Sequence, residues 1–134
     1  MTIKEVSSMF NLSNDTLRFY ERKGLIGPIL KKNGIRSYSE NDLKRIEFIK
    51  CMRSAEVPID VLKKYIDLFE LGDETLIKRK ELLEEQSKIL KEKIDNMQKA
   101  YDKLNDYLLV LSCNKKWELY ILLWYNKLVI ITKM

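Results

Sequence analysis

Ser13-Asn14-Asp15-Thr16-Leu17-Arg18-Phe19-Tyr20-Glu21-Arg22-Lys23-Gly24 is the stretch that decides the fold. Asn14 is a helix-capping residue type, and Asp15 is favourable near the positive end of a helix. A short helix is therefore expected from Asn14 to about Lys23. Leu17, Phe19 or Tyr20, and Leu25 supply its inner face, and Gly24 stops it. Upstream, Thr2 and Glu5 have capping-box spacing, and Ile3, Val6 and Met9 or Phe10 form one apolar stripe over residues 2–9. Asn11-Leu12-Ser13 between them reads as a tight polar turn around one buried anchor. Two short helices joined by so brief a turn make a helix-turn-helix.

Downstream, Gly27-Pro28 breaks the chain. Asn33-Gly34 then separates Ile29–Lys32 from Ile35–Tyr38, a strong short-range hairpin signal because both central residues accept positive φ. A small basic β-wing is expected. Ser39 caps a third helix with Asp42 three residues on, and Leu43, Ile46, Phe48 or Ile49, and Met52 carry its apolar face to about Ala55. Pro58 opens a fourth helix over 58–70 with Ile59, Leu62, Tyr65 or Ile66, and Phe69 inward. Leu71-Gly72 ends it.

Asp73 is expected to cap the longest element. Leu76, Leu83, Leu90, Met97, Leu104 and Leu111 recur every seven residues without a gap. Leu82, Ile89, Ile94, Tyr101 and Leu108 flank them. This is coiled-coil periodicity, and thirty-eight helical residues span roughly 57 Å. Too little chain remains to cover such a stripe, so a second copy is its natural cover and a homodimer is expected. The alternative is an intramolecular hairpin with the tail. Residues 112–134 change character, with apolar runs at Leu119–Tyr125 and Leu128–Ile131. These runs fall short of the about 20 residues that span a bilayer, so packing on the dimer helix is expected rather than membrane insertion.

The chain has 134 residues, of which 46% are hydrophobic and 34% charged. It is thus neither a disordered chain nor a membrane bundle. It has no histidine, which excludes Ser-His-Asp and Cys-His catalysis and every His-ligated metal site. Its two cysteines are far apart, which excludes a disulfide framework and a Cys-rich zinc site and fits a reducing cytosol. Residues 1–10 lack the apolar core of a signal peptide. Charge is uneven. Residues 1–53 hold eleven Lys+Arg against six Asp+Glu, whereas the rest holds fourteen of each. All of the excess positive charge therefore lies in the first two-fifths, as a polyanion-binding part would have it.

These residues together resemble the MerR family of bacterial transcriptional regulators. Met1-Thr-Ile-Lys-Glu-Val is similar to the family's opening helix, and Ser13 through Ile26 to its recognition helix and exit. Gly34-Ile-Arg-Ser-Tyr-Ser-Glu-Asn-Asp-Leu is similar to its first wing and following helix, and Val57-Pro-Ile to its second wing region. The likeness runs over roughly residues 1–111. It implies a mainly α fold: a winged helix-turn-helix DNA-binding domain at 1–72, an antiparallel coiled-coil dimerisation helix at 73–111, and an atypical apolar tail at 112–134. It implies double-stranded promoter DNA and RNA polymerase as partners, a cytoplasmic location, and no catalytic role, cofactor or metal. It also implies that a dimer reads a palindrome in an overlong promoter spacer and deforms that spacer to switch transcription.

The resemblance assigns DNA contacts to Arg18 and Tyr20, and flanking phosphate contacts to Arg36 and Tyr38. Thr16 and Arg18 stand on the first turn of the recognition helix, which reaches base edges and phosphates in this motif. Arg18 can fork to a guanine edge or a phosphate. Each position has a plainer reading beside it. Arg18 can be a surface ion pair, and Arg36 and Tyr38 can be wing scaffolding. Tyr20 can be a core aromatic, since Phe19 and Tyr20 cannot both point outward. Lys31, Lys32 and Lys63 are candidate non-specific phosphate contacts. A second likeness, through Ile46–Arg53 and Leu71–Leu76, is to a thiol- or aldehyde-responsive subgroup. It makes Cys51, flanked by Lys50 and Arg53, a candidate switch, because cationic neighbours favour a reactive thiolate. The plainer reading of Cys51 is packing filler beside Ile46, Phe48 and Met52. A protein-interaction module that no longer binds DNA is the alternative function.

Overall fold

The first three helices each begin on a side-chain hydroxyl. In the computed structural model, which describes residues 1–112, 121 and 124–127, α1 (Ile3–Phe10), α2 (Asn14–Arg22) and α3 (Glu40–Ser54) follow Thr2, Ser13 and Ser39. Thr2 and Ser39 close capping boxes with Glu5 and Asp42. The cap of α2 is Ser13, whose oxygen accepts the Thr16 N–H at 3.0 Å, so Asn14 is already the first helical residue. This corrects the expected cap by one position: a serine one step earlier satisfies the same orphan donor. Asn11 ends α1 at φ 53°, a left-handed conformation that asparagine tolerates.

The wing is a two-stranded antiparallel sheet of β1 (Leu30–Lys32) and β2 (Ile35–Ser37), with Leu30 opposite Ser37 and Lys32 opposite Ile35. Asn33 and Gly34 take φ 52° and 78°. Two successive positive φ values match the twist of the strands, which is why Asn-Gly closes this hairpin. The returning chain is tied to the N-terminus: the Tyr38 N–H donates to the Met1 carbonyl at 2.8 Å.

α4 (Ile59–Leu71) follows Pro58, whose fixed φ suits a helix start. Gly72, at φ 108°, turns the chain into a single 3-10 turn, Asp73–Thr75, and α5 (Leu76–Ser112) follows with 37 residues. The expected Asp73 cap is replaced by this turn. The corner is held by Thr75, whose hydroxyl donates to the Leu68 carbonyl at 2.6 Å.

The chain divides into two compact units, residues 1–90 and 91–134. The core of the first draws on every helix before α5: Val6 of α1, Leu17 and Tyr20 of α2, Ile46 and Ile49 of α3, Leu62 and Ile66 of α4. Leu25, Ile26, Ile29, Tyr38 and Val57 join it from the connections and the wing exit. Phe69, expected inward, is 53% exposed, because the buried face of α4 ends one turn earlier at Ile66. In the second unit, Ile94, Met97, Tyr101, Leu104, Leu108 and Leu111 are exposed, while Val110, off that stripe, is buried. Cys113 and most of the apolar tail lie outside the described residues. Among those described, no helix is long and apolar enough to cross a membrane.

Candidate nucleic-acid interface

α2 turns its apolar residues inward and its basic residues outward. Leu17 and Tyr20 are buried, and Arg18, Arg22 and Lys23 are exposed. Thr16 is half-buried, and its hydroxyl lies 2.8 Å from that of Ser13, inside the helix cap. Arg18 lies 3.6 Å from the Asp15 carboxylate, with the aspartate side chain almost wholly in solvent. An exposed pair at that distance contributes about 0–1 kcal/mol, so the guanidinium is held in place only weakly.

The two aromatic rings of α2 divide their roles. Tyr20 is only 5% exposed and its ring packs in the core. Its backbone carbonyl accepts the Leu25 N–H at 2.9 Å and so ends the helix. Phe19 is the half-buried partner, and the Lys23 ammonium lies 5.8 Å from its ring centroid.

The wing docks on α2 through charge. Arg36 Nε donates to the Glu21 carboxylate at 3.0 Å, and both side chains are mostly covered. Arg36 therefore struts the wing against α2 rather than projecting freely. Tyr38 is 3% exposed, and its hydroxyl is buried without a partner among the described residues. Burial raises the Tyr38 pKa above its ordinary value, and the nearby Glu21 charge adds to this, while Arg36 and Arg18 oppose it. The phenol thus remains a protonated donor lacking an acceptor, an arrangement that costs stability. Arg18, Glu21, Arg36 and Tyr38 form one electrostatic cluster where α2 meets the wing.

Lysines stand on the wing and on α4. Lys31 and Lys32 are exposed on β1. Lys63 of α4 lies 2.7 Å from Asp67 and donates to the Gly24 carbonyl at 3.5 Å. Gly24 has φ 71°, and a Cβ there would come within 2.8 Å of the Lys63 nitrogen. The positive φ is what calls for glycine, since the flexible end of Lys63 can move aside.

Cys51 is exposed on α3. Its cationic neighbours point elsewhere: Lys50 donates to the Phe10 carbonyl, and Arg53 to the Val57 carbonyl at 2.8 Å. Of the heptad positions, Leu83 and Leu90 are half-buried, and Leu76, Met97, Leu104 and Leu111 are exposed. Sequence reasoning missed Glu21 as the partner of Arg36, because fifteen residues separate them and no local spacing signals the pair. It also missed the buried Arg79. The available signal was its position three residues after Leu76, on the same helical face.

A family model described as "MerR HTH family regulatory protein" matches residues 1–68, half of the chain. The HTH-type transcriptional regulator AdhR of Bacillus subtilis (strain 168) is 51% identical over 84 residues, covering 62% of this chain and 60% of AdhR. The crystal structure of a MerR family transcriptional regulator from Listeria monocytogenes aligns at TM-score 0.80 and 38% identity, over 94% of this chain and 96% of that one. HiNmlR, a MerR family regulator lacking the sensor domain and crystallised on promoter DNA, shares the fold at TM-score 0.74 and 24% identity, over 87% of this chain and 94% of its own. The same order of helices, hairpin and long helix is thus found with substantial identity over nearly the whole chain, and it belongs to the MerR family of helix-turn-helix transcription regulators.

Proposed function

We propose that the chain acts as a homodimer on a palindromic promoter operator, and that modification of Cys51 switches it. The observation that supports DNA recognition most directly is the exposed, weakly held Arg18 on a helix whose other face is locked into the core. A rigid helix with a mobile guanidinium suits base-edge reading in the major groove. Lys31, Lys32 and Lys63 flank it as phosphate contacts, which give affinity and salt dependence. Arg36 contributes by holding the wing, and Tyr38 by a buried donor that a phosphate oxygen would satisfy. The exposed heptad face of α5, Leu76 through Leu111, is the dimer interface. RNA polymerase is the partner at the promoter.

The exposed Cys51 thiol supports the switch, because accessibility is the first requirement of a thiol that is to be modified. Alkylation or mixed-disulfide formation there adds bulk to α3, which shares the core with the recognition helix through Ile46 and Ile49.

Two measurements test the reading. In binding to DNA upstream of the protein's own gene, Arg18→Ala is expected to lose about 1–3 kcal/mol on the operator and much less on random DNA. Equal losses on both would leave Arg18 a phosphate contact only. In run-off transcription, diamide or aldehyde treatment is expected to change output with the wild type and not with Cys51→Ala. A response that persists in Cys51→Ala would remove Cys51 from the switch.

A further inference from the structure

Arg18 and Arg36 of the candidate interface are each held by a carboxylate, and the two pairs differ in kind. Arg18 lies 3.6 Å from Asp15, whose side chain is 96% exposed, so water already screens that pair. Arg36 lies 3.0 Å from Glu21, and these two side chains are only 31% and 22% exposed. The contact is also a hydrogen bond from Arg36 Nε, and it joins the wing to the recognition helix across fifteen residues of chain. The otherwise basic outer face of α2 therefore keeps one mostly covered acid where it meets the wing.

That acid is costly to a surface whose only task is to hold phosphates. Sequence-independent binding follows the positive charge brought to the DNA backbone, with counterions released at each phosphate contacted. Glu21 offsets Arg36 in that sum. A phosphate approaching Arg36 must tolerate the carboxylate beside it, or displace it and leave a mostly covered anion without its cation. Either way random DNA gains little from Arg36. The operator differs, because there Arg18 reads base edges and the sequence itself seats α2. Arg36 then contributes a wing already braced against α2, so that less ordering is needed on binding. One carboxylate thus subtracts from sequence-independent binding and supports the specific mode. Specificity is the difference between the two.

We infer that Glu21 is a specificity-determining residue, which withholds Arg36 from the phosphates of random DNA while bracing the wing for the operator. This rests on the DNA-recognition reading and adds to it the residue that separates operator from other DNA. Glu21 need touch no base. It acts through Arg36, as a positioning residue.

The test compares binding of the full chain to a duplex from upstream of its own gene and to a random duplex of equal length, over a range of salt. Circular dichroism checks folding. One added phosphate contact steepens log affinity against log salt by about 0.9, which is about eightfold at 0.1 M salt relative to 1 M. Glu21→Gln keeps the shape of the side chain. It is expected to raise affinity for random DNA about fivefold to tenfold and to steepen that slope by about one contact. Operator affinity is expected to change by less than about twofold, so the preference for operator falls about fivefold. Adding Arg36→Met to Glu21→Gln is expected to return random-DNA affinity to within about twofold of the wild type, because the freed cation is gone. Glu85→Gln makes the same change of net charge at an exposed position of α5 and is expected to leave the preference intact.

An operator preference untouched by Glu21→Gln would overturn the role of Glu21 and keep the DNA reading. A preference lowered as much by Glu85→Gln would assign the effect to net charge and likewise overturn that role. Should Glu21→Gln alone disturb the fold, the double variant still decides, since it removes both charges of the pair together. A fall in its random-DNA affinity would place Arg36 on phosphate in the wild type, against the proposal. A wild type with no preference for its operator would overturn the DNA reading itself.

Discussion

Residues 1–90 and the second half of α5 use the same kinds of apolar residue for opposite ends. In the first, Leu17, Ile46, Ile49 and Leu62 are all at 0% exposure, drawn from the three helices α2, α3 and α4 into one shared core. In the second, Met97 is 71% exposed and Leu104 59%, on one straight stripe. The first set is complete within one chain. The second is regular but uncovered along its exposed stripe. Seven-residue periodicity sustained over many turns is therefore a statement about partners, whereas clustered helical faces broken by tight turns are a statement about self-sufficiency.

The largest expected effect separates these two kinds of residue. Leu17→Ala should cost about 2–5 kcal/mol of unfolding free energy, the usual range for a buried leucine truncated to a cavity. Leu104→Ala removes side-chain surface that the single chain leaves mostly in water. Its effect should appear as weaker association, with a denaturation midpoint that is lower and depends less steeply on protein concentration as the dimer dissociates within the range. Chemical denaturation at several protein concentrations checks both. A wild-type midpoint that does not depend on protein concentration, with Leu104→Ala still lowering it, would mean that the seam packs within one chain, and the contrast between the two regions would disappear.

A smaller effect is expected at the joint between α2 and the wing. Glu21→Gln releases Arg36 and removes one negative charge from the basic face. Stability should fall by about 1 kcal/mol or less, because the pair is still partly solvated. Non-specific DNA affinity should rise, and the slope of log affinity against log salt should steepen by about one contact. An unchanged slope would show that Arg36, once released, does not reach phosphate.

What the sequence revealed follows the same division. The capping boxes at Thr2 and Ser39, the Asn33-Gly34 hairpin and the unbroken long helix are local signals with local causes, and each stands where its residues put it. The cap at Ser13 is legible only to within one residue, because Ser13 and Asn14 are both good caps and only the Thr16 N–H decides between them. Periodicity points Phe69 inward, but periodicity carries no signal of where a core ends. Asp73 is a cap by residue type, but Gly72, at positive φ, leads into a 3-10 turn that Thr75 anchors instead. At the candidate site, residue types and their order were legible. The pairing of Arg36 with Glu21 and the burial of Tyr20 were not, because both depend on how the wing and α2 meet. Arg79 is legible only in part: its place on the face of Leu76 is in the sequence, but its contact with the Tyr65 and Phe69 rings of α4 is not.

The smallest effect is the most discriminating, because Tyr38 is where core and interface coincide. Its hydroxyl is buried and unpartnered within the described chain. Tyr38→Phe removes an unsatisfied donor without changing the ring, so stability at neutral pH should be unchanged or higher by about 1 kcal/mol or less. The pH dependence has a definite sign. Burial raises the folded-state pKa of Tyr38. Below about pH 10 the phenol is protonated in both states and contributes no slope. Above that, the unfolded chain releases its proton while the folded chain keeps it, so the folded state binds more protons and stability falls as pH rises. Tyr38→Phe lacks this term and should lose less stability than the wild type on going above pH about 10. The same variant should weaken operator binding by about 1 kcal/mol if the hydroxyl donates to a phosphate. A variant that is clearly less stable at neutral pH would show that the chain itself satisfies the hydroxyl. Tyr38 would then be part of the first region's self-sufficient core alone, and the wing's contribution to DNA would fall to Lys31, Lys32 and the strut at Arg36.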